Sequence, residues 1–210
     1  MRRLLGILGA ALLAGSLAAA AVFAYRVWDP FAGARQHAAQ HRLYQQWSAP
    51  PGRAHGVARL SCRPAGRPAI GQVFAIIQIP AFGPHWKFTV IQGTSLAQLA
   101  TGPGHIPGTA LPGRPGNAGI AAHDITAGNP FLHLAGLRPG DRIIITTRGC
   151  RITYRVNRAP YRVWYTDTGV LRPAGRRHLL TLITCWPTGV LYFVPHRTIV
   201  QAVQVASMPR

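Results

Sequence analysis

Cys185 ends the run HLLTLITC, and twelve residues later Arg197 heads the run RTIVQAVQV. Both runs have the apolar, β-branched texture of strands. In a strand over the first, Thr181, Ile183 and Cys185 share one face, while Leu180, Leu182 and Thr184 share the other. If the two runs pair antiparallel, Cys185 and Arg197 meet at one sheet edge. The loop between them, Trp186 to His196, carries Trp186, Tyr192 and Phe193, enough apolar surface to wall a groove. A free thiol titrates near ~8.5, so only a few per cent is thiolate at neutral pH, and a nearby cation raises that fraction. Arginine is always charged and can donate several hydrogen bonds to a developing oxyanion. What is missing from acyl-transfer chemistry is an imidazole to protonate a leaving amine. The chain has nine histidines. His123 ends the small-residue run NAGIAAH and is followed by Asp124, which favours the imidazolium. His196 adjoins Arg197. Spacing alone leaves both open.

The elements that must position these groups are short. QVFAIIQIP and HWKFTVIQG read as strands, SLAQLATG as a helical turn or two, and GPGHIPGTALPGRPGN as a Gly/Pro loop. NAGIAAHD is a strand of small residues, and NPFLHLAGLRPGD a short helix and turn. RIIITTRGCRITYRVNR is a hairpin, because Ile152, Tyr154 and Val156 alternate with Arg151, Thr153 and Arg155. Many short strands with turn signals between them predict an all-β barrel or sandwich from about Gly71 onward. Gly 23 and Pro 18 argue against a long-helix bundle, and 48% apolar residues argue against disorder. Residues 26–69 read as a stalk in which FAGARQHAAQHRLYQQW has helix-forming composition. His37 and His41 are spaced for one helix face, but no third ligand is near, so no metal is assigned.

The N-terminus sets the compartment. Arg2 and Arg3 precede a stretch from Leu4 to Tyr25 without charge, about the ~20 residues that cross a bilayer. Residues 1–25 are therefore expected as a cytoplasmic tip and single membrane anchor, with the rest on the extracellular face. A cleaved signal peptide is the alternative, and it exports the same remainder. Three cysteines cannot all pair within one exported chain. If Cys62 pairs with Cys150, Cys185 is left free.

Composition narrows the chemistry. Lys and Arg total 23 against four acids, for a net charge of +19. All four acids are aspartates, Asp29, Asp124, Asp141 and Asp167, and no two are close in sequence. That leaves no carboxylate pair for glycoside hydrolysis and no oxygen-rich cluster for calcium or magnesium. The basic excess reads as a solvated surface, or as attraction to lipid headgroups or an anionic wall. No basic stripe is interleaved with aromatics, so nucleic acid is not expected.

TLITC, together with GN…AAHD, LRPGD and an arginine opening the last strand behind an N-terminal anchor, resembles the sortases. These are cysteine transpeptidases that attach proteins to bacterial cell walls. The loop GPGHIPGTALPGRPGN is most similar to the actinobacterial class E group. The resemblance covers roughly residues 71–205. It implies a closed β-barrel of about eight strands with short helices and a catalytic domain over residues 70–210. Some sortases bind calcium, but the low acid count of this chain leaves no acidic residue available for it, so no metal or cofactor is expected. Carried over by position, Cys185 is the nucleophile, His123 the acid/base partner and Arg197 the oxyanion donor, and Thr184 lines the substrate groove. The implied substrates are proteins with a C-terminal LPxTG- or LAxTG-like sorting motif, and the implied acceptor is a cell-wall (peptidoglycan) precursor amine. The family usually has Gly-His-Arg where this chain has Ala122-His123-Asp124. That change sets an anion in place of a cation and is expected to raise the His123 pKa. Two rivals remain: a thiol peptidase that hydrolyses without transfer, and a non-enzymatic basic β-domain that binds wall polyanions.

Overall fold

The computed structural model describes residues 15–17, 20–21, 35–48, 62, 66–188 and 194–209. The expected anchor lies almost wholly outside these residues. Among the described residues no helix is long and apolar enough to cross a membrane. The strands, in chain order, are β1 (Val73–Gln78), β2 (Lys87–Gln92), β3 (Gly104–His105), β4 (Gly116–Ala121), β5 (Arg142–Thr147), β6 (Cys150–Val156), β7 (Tyr161–Trp164), β8 (His178–Trp186) and β9 (His196–Pro209). They form one sheet in the order β6-β5-β1-β2-β3-β4-β8-β9-β7. A further pairing of β6 with β9 closes eight of them into a barrel and leaves β7 outside, on the first half of β9. This is the mostly-β, eight-stranded closed barrel expected from the turn spacing and the resemblance.

Alternation explains the wall. In β6, Ile152, Tyr154 and Val156 are buried while Arg151 and Arg155 are exposed, the period-2 signature of a strand with one wet face. β8 departs from that pattern: Leu180, Thr181 and Leu182 are all fully buried. It pairs parallel with β4 and antiparallel with β9, and its outer face is covered by the 3-10 turn Thr168–Leu171. The Val170 carbonyl of that turn accepts from Asn117 Nδ2 at 2.9 Å and from Thr181 Oγ1 at 3.5 Å. Gly119 makes room for it, since a Cβ there would lie 2.8 Å from Leu171 Cδ2. The small residues of NAGIAA thus let a second layer close over β4.

Strand directions put the ends of β1, β4, β6 and β8 and the starts of β2, β5 and β9 at one end of the barrel. That end is plugged by Phe131, Leu134 and Leu137 from the β4–β5 connection, all nearly inaccessible. Tyr154 Oη accepts from the Gly113 N–H of the Gly/Pro loop at 2.7 Å.

Residues 35–48, expected within the stalk, form a helix (α1) laid along the outside of β1 and β2. Its buried positions follow the helical period. Gln36 and Trp47 are 3% and 5% exposed, with Gln40 and Leu43 between them partly buried. Gln40 Oε1 accepts from Thr89 N at 2.8 Å and Thr89 Oγ1 at 2.9 Å, and its Nε2 donates to the Thr101 carbonyl. Leu43 and Trp47 pack with Val73, Ile76 and Ile91, and Arg148 lies 5.3 Å over the Trp47 ring. His37 and His41 are exposed.

Cys62 and Cys150 form a disulfide, and Cys185 is free. The bridge spans 88 residues and ties the chain after α1 to the start of β6. Cross-linking so long a loop removes much unfolded-state entropy. Cys62→Ala is therefore expected to lower stability by about 2–4 kcal/mol. Urea unfolding of the full-length chain in detergent checks this, and a reductant should bring the native chain down to the variant.

Candidate active site

β8 and β9 are in antiparallel register with Cys185 directly opposite Arg197, so both side chains leave the same face. On the other flank of β8, β4 runs parallel with Ala121 opposite Ile183. The pairing continues past the strand end, since Ala122 N–H donates to the Ile183 carbonyl at 3.1 Å. Two residues beyond Ala121, just past the end of β4, is His123; two beyond Ile183 on β8 is Cys185. The period of 2 therefore brings His123 alongside Cys185 on the face that also carries Arg197. His196 is one residue out of phase with Arg197 and stacks on Trp164, with ring centroids 4.4 Å apart. Strand pairing thus brings His123, rather than His196, to the face that carries Cys185 and Arg197.

Each group is held. The His123 carbonyl accepts from Phe131 N–H at 2.9 Å, tying the histidine to the plug. Arg197 Nη1 donates to the Val194 and His196 carbonyls, each at 2.8 Å, and its guanidinium lies 5.8 Å from the Tyr165 ring centroid. Beside it Arg162 lies over Trp186 at 5.0 Å. Thr184 is 3% exposed. Its hydroxyl donates to the Ala122 carbonyl at 2.8 Å, so its bearing on the groove runs through the residue that precedes His123. Tyr192 and Phe193, expected as groove walls, lie outside the described residues.

The electrostatics oppose ionisation. Burial pushes the Cys185 thiol above its ordinary value; the Arg197 charge pulls it down, and Asp124 pushes it up. Burial likewise pushes His123 below the ordinary imidazole range, while Asp124 raises it. The expectation that Asp124 would leave His123 with a raised pKa is corrected here. Asp124 acts in the expected direction, but the desolvation of a half-buried imidazole outweighs it. Asp124 itself is 3% exposed, so its charge reaches both partners through protein rather than water. The resting pair at neutral pH is a neutral thiol beside a neutral imidazole.

A thiol, an imidazole and a guanidinium thus share one face at the end of a β-barrel. A sortase domain model matches residues 77–205. The chain belongs to the sortase family. It is similar to Sortase SrtE1 of Streptomyces coelicolor, 31% identical over 110 residues; the match spans 49% of this chain and 30% of that protein. Among solved structures, sortase E from Streptomyces avermitilis is 34% identical with a TM-score of 0.61, covering 67% of this chain and 93% of that one. The SrtF sortase from Corynebacterium diphtheriae is 26% identical with a TM-score of 0.65, covering 72% and 94%. The class E likeness expected from the Gly/Pro loop is shown by these matches.

Several residues of the site were missed in the sequence. Asn117 and Thr181 hold the covering turn, and Tyr165 lies beside Arg197, because their partners come from segments far along the chain. No local pattern marks them. Asn117 stands in GN, which the resemblance quoted without assigning it a role.

The opposed charges around the thiol give a test with two signs. Iodoacetamide alkylation of Cys185 should titrate above the ordinary thiol range. Arg197→Gln should move its midpoint further up and Asp124→Asn should move it down, read by mass spectrometry across a pH series.

Proposed function

We propose that this chain is a membrane-anchored transpeptidase of the class E sortase type, with its catalytic domain on the extracellular face. The observation that carries the reading is the shared register of Cys185, Arg197 and His123 on one face of β4, β8 and β9. The Cys185 thiolate attacks the Thr–Gly carbonyl carbon of a C-terminal LPxTG- or LAxTG-like sorting motif. Arg197 donates hydrogen bonds to the tetrahedral oxyanion. The C–N bond breaks as His123 imidazolium passes its proton to the glycine amine, which leaves a Cys185 thioester and neutral imidazole. A cell-wall precursor amine then attacks the thioester, His123 accepts the proton that the amine loses, and the thiolate departs. Thr184 serves by fixing Ala122. No metal or cofactor enters these steps. The charge of +19 suits an enzyme working near anionic lipid and wall polymers.

The competent form pairs thiolate with imidazolium, against the resting protonation. Its population is constant between the two pKa values and falls outside them. Because His123 is lowered and Cys185 is raised, the kcat/KM profile should be flat across the window between the ordinary imidazole and thiol values. The direct test incubates the full-length chain in detergent with LAxTG and LPxTG peptides, with and without an amine acceptor. A Cys185 thioester and an amine-linked product are expected, and both should vanish in Cys185→Ala. His123→Ala and Arg197→Ala should each lower kcat/KM by about 10²-fold or more. Cleavage without transfer would favour the peptidase reading. Transfer by Cys185→Ala would sink the mechanism, and an alkylation-inert Cys185 with salt-sensitive polyanion binding would favour the non-enzymatic one.

A further inference from the structure

The connection that follows His123 contains a run of three left-handed residues, Ala127 at φ 54°, Gly128 at φ 73° and Asn129 at φ 57°. Glycine adopts this region freely and asparagine tolerates it, but alanine does not. Such a backbone persists only where its surroundings over-determine it. Within the connection itself, Asn129 N–H donates to the Thr126 carbonyl at 3.1 Å and Leu132 N–H to the Asn129 carbonyl at 3.2 Å. Those bonds close small turns without fixing where the run sits against the barrel.

What lies against it is the first turn of α1. The Gln36 amide occupies the space over Gly128, so that any Cβ there would collide with it. Gln36 is 3% exposed, and neither amide atom has a hydrogen-bond partner among the described residues. A surface helix normally turns such a residue to water, because burying an unbonded amide is unfavourable. Its volume, rather than its polarity, is what the site uses. Four residues on, Gln40 is bonded to Thr89 and Thr101 and sits over Gly102 in the same manner. α1 thus enters the barrel wall through two glutamines seated on two glycines. The first seat belongs to the segment whose ends are His123 and Phe131, joined by the 2.9 Å bond from Phe131 N–H.

We infer that α1 is part of the catalytic apparatus: Gln36, packed on Gly128, holds the left-handed run and thereby fixes His123 against Cys185. Gln36 is a positioning residue, acting through the backbone of residues 124–130. The inference rests on the proposed role of His123 as acid/base partner.

The test uses the full-length chain in detergent. Three readouts are taken: kcat and KM on a sorting peptide, the His123 titration by histidine-selective NMR, and thermal unfolding. Gln36→Ala should lower kcat about tenfold while KM stays within about twofold, since misplacement of a catalytic group costs rate rather than binding. The same variant should move the His123 midpoint up toward 6.5 as water enters, while the melting temperature stays close to native. Gln36→Met keeps the volume and should behave as the native chain. Gly128→Ala should be more damaging than Gln36→Ala, and adding Gln36→Ala to it should restore part of the rate by relieving the collision. An unchanged His123 midpoint in Gln36→Ala would overturn the inference, as would Gln36→Met being as damaging as Gln36→Ala. If the native chain turns over no sorting peptide, the proposed function fails, yet the His123 midpoint still decides whether Gln36 positions it.

Discussion

β8 is gripped on both edges, in parallel by β4 and antiparallel by β9, and the site exists only in those two registers. A slip of one residue against β9 would set Cys185 opposite a neighbour of Arg197 that points to the other face. A slip against β4 would do the same to His123. The registers are protected because both faces of β8 are committed. Leu180 and Leu182 are fully buried toward the barrel core, and Thr181, on the outer face, bonds Asn117 Oδ1 at 2.8 Å beneath the Thr168–Leu171 turn. Moving β8 would bury polar groups without partners and expose the leucines, each a penalty of about 1–3 kcal/mol.

The same burial that secures the register sets the protonation of the site. Cys185 and His123 are partly withdrawn from water, and desolvation is the largest influence on each. Arg197 works against it at the thiol, and Asp124 works against it at the imidazole while adding to it at the thiol. A chain with 23 basic residues and four acids has thus placed one of its few carboxylates where its charge acts on both Cys185 and His123. The remaining cations are screened within about 8 Å at physiological salt and contribute little to this balance. The usual Gly-His-Arg would set a cation beside the imidazole, favouring thiolate and disfavouring imidazolium. Asp124 does the reverse. In the proposed mechanism the product of the two populations is therefore buffered against the exchange.

The strands were legible where their signal is local. The alternation of Ile152, Tyr154 and Val156 gave β6, and the polarity of HLLTLITC and RTIVQAVQV gave β8 and β9 with Cys185 facing Arg197. Spacing alone leaves His123 and His196 open and the family resemblance points to His123; the parallel pairing of β4 with β8 that sets it beside Cys185 joins residues some sixty positions apart and leaves no periodicity to read. The sign of the net shift on His123 was not legible either. An adjacent aspartate is visible in a sequence, but the burial that outweighs it is not. The expected anchor lies almost wholly outside the described residues, and the expected groove wall at Tyr192 and Phe193 lies wholly outside them.

The helix α1 shows why a polar segment can be misread as a tether. Its docking face is half glutamine, so hydropathy does not set it apart from a solvated stalk. The apolar half, Leu43 and Trp47, is too short to announce an amphipathic stripe. Yet it is bound at both ends: Gln36 meets the connection beside His123, while Trp47 and Gln46 meet Arg148 at the β5–β6 turn. The Cys62–Cys150 bridge then returns the chain to the adjoining strand. An element fixed at these points spans the barrel from the catalytic end to the opposite one.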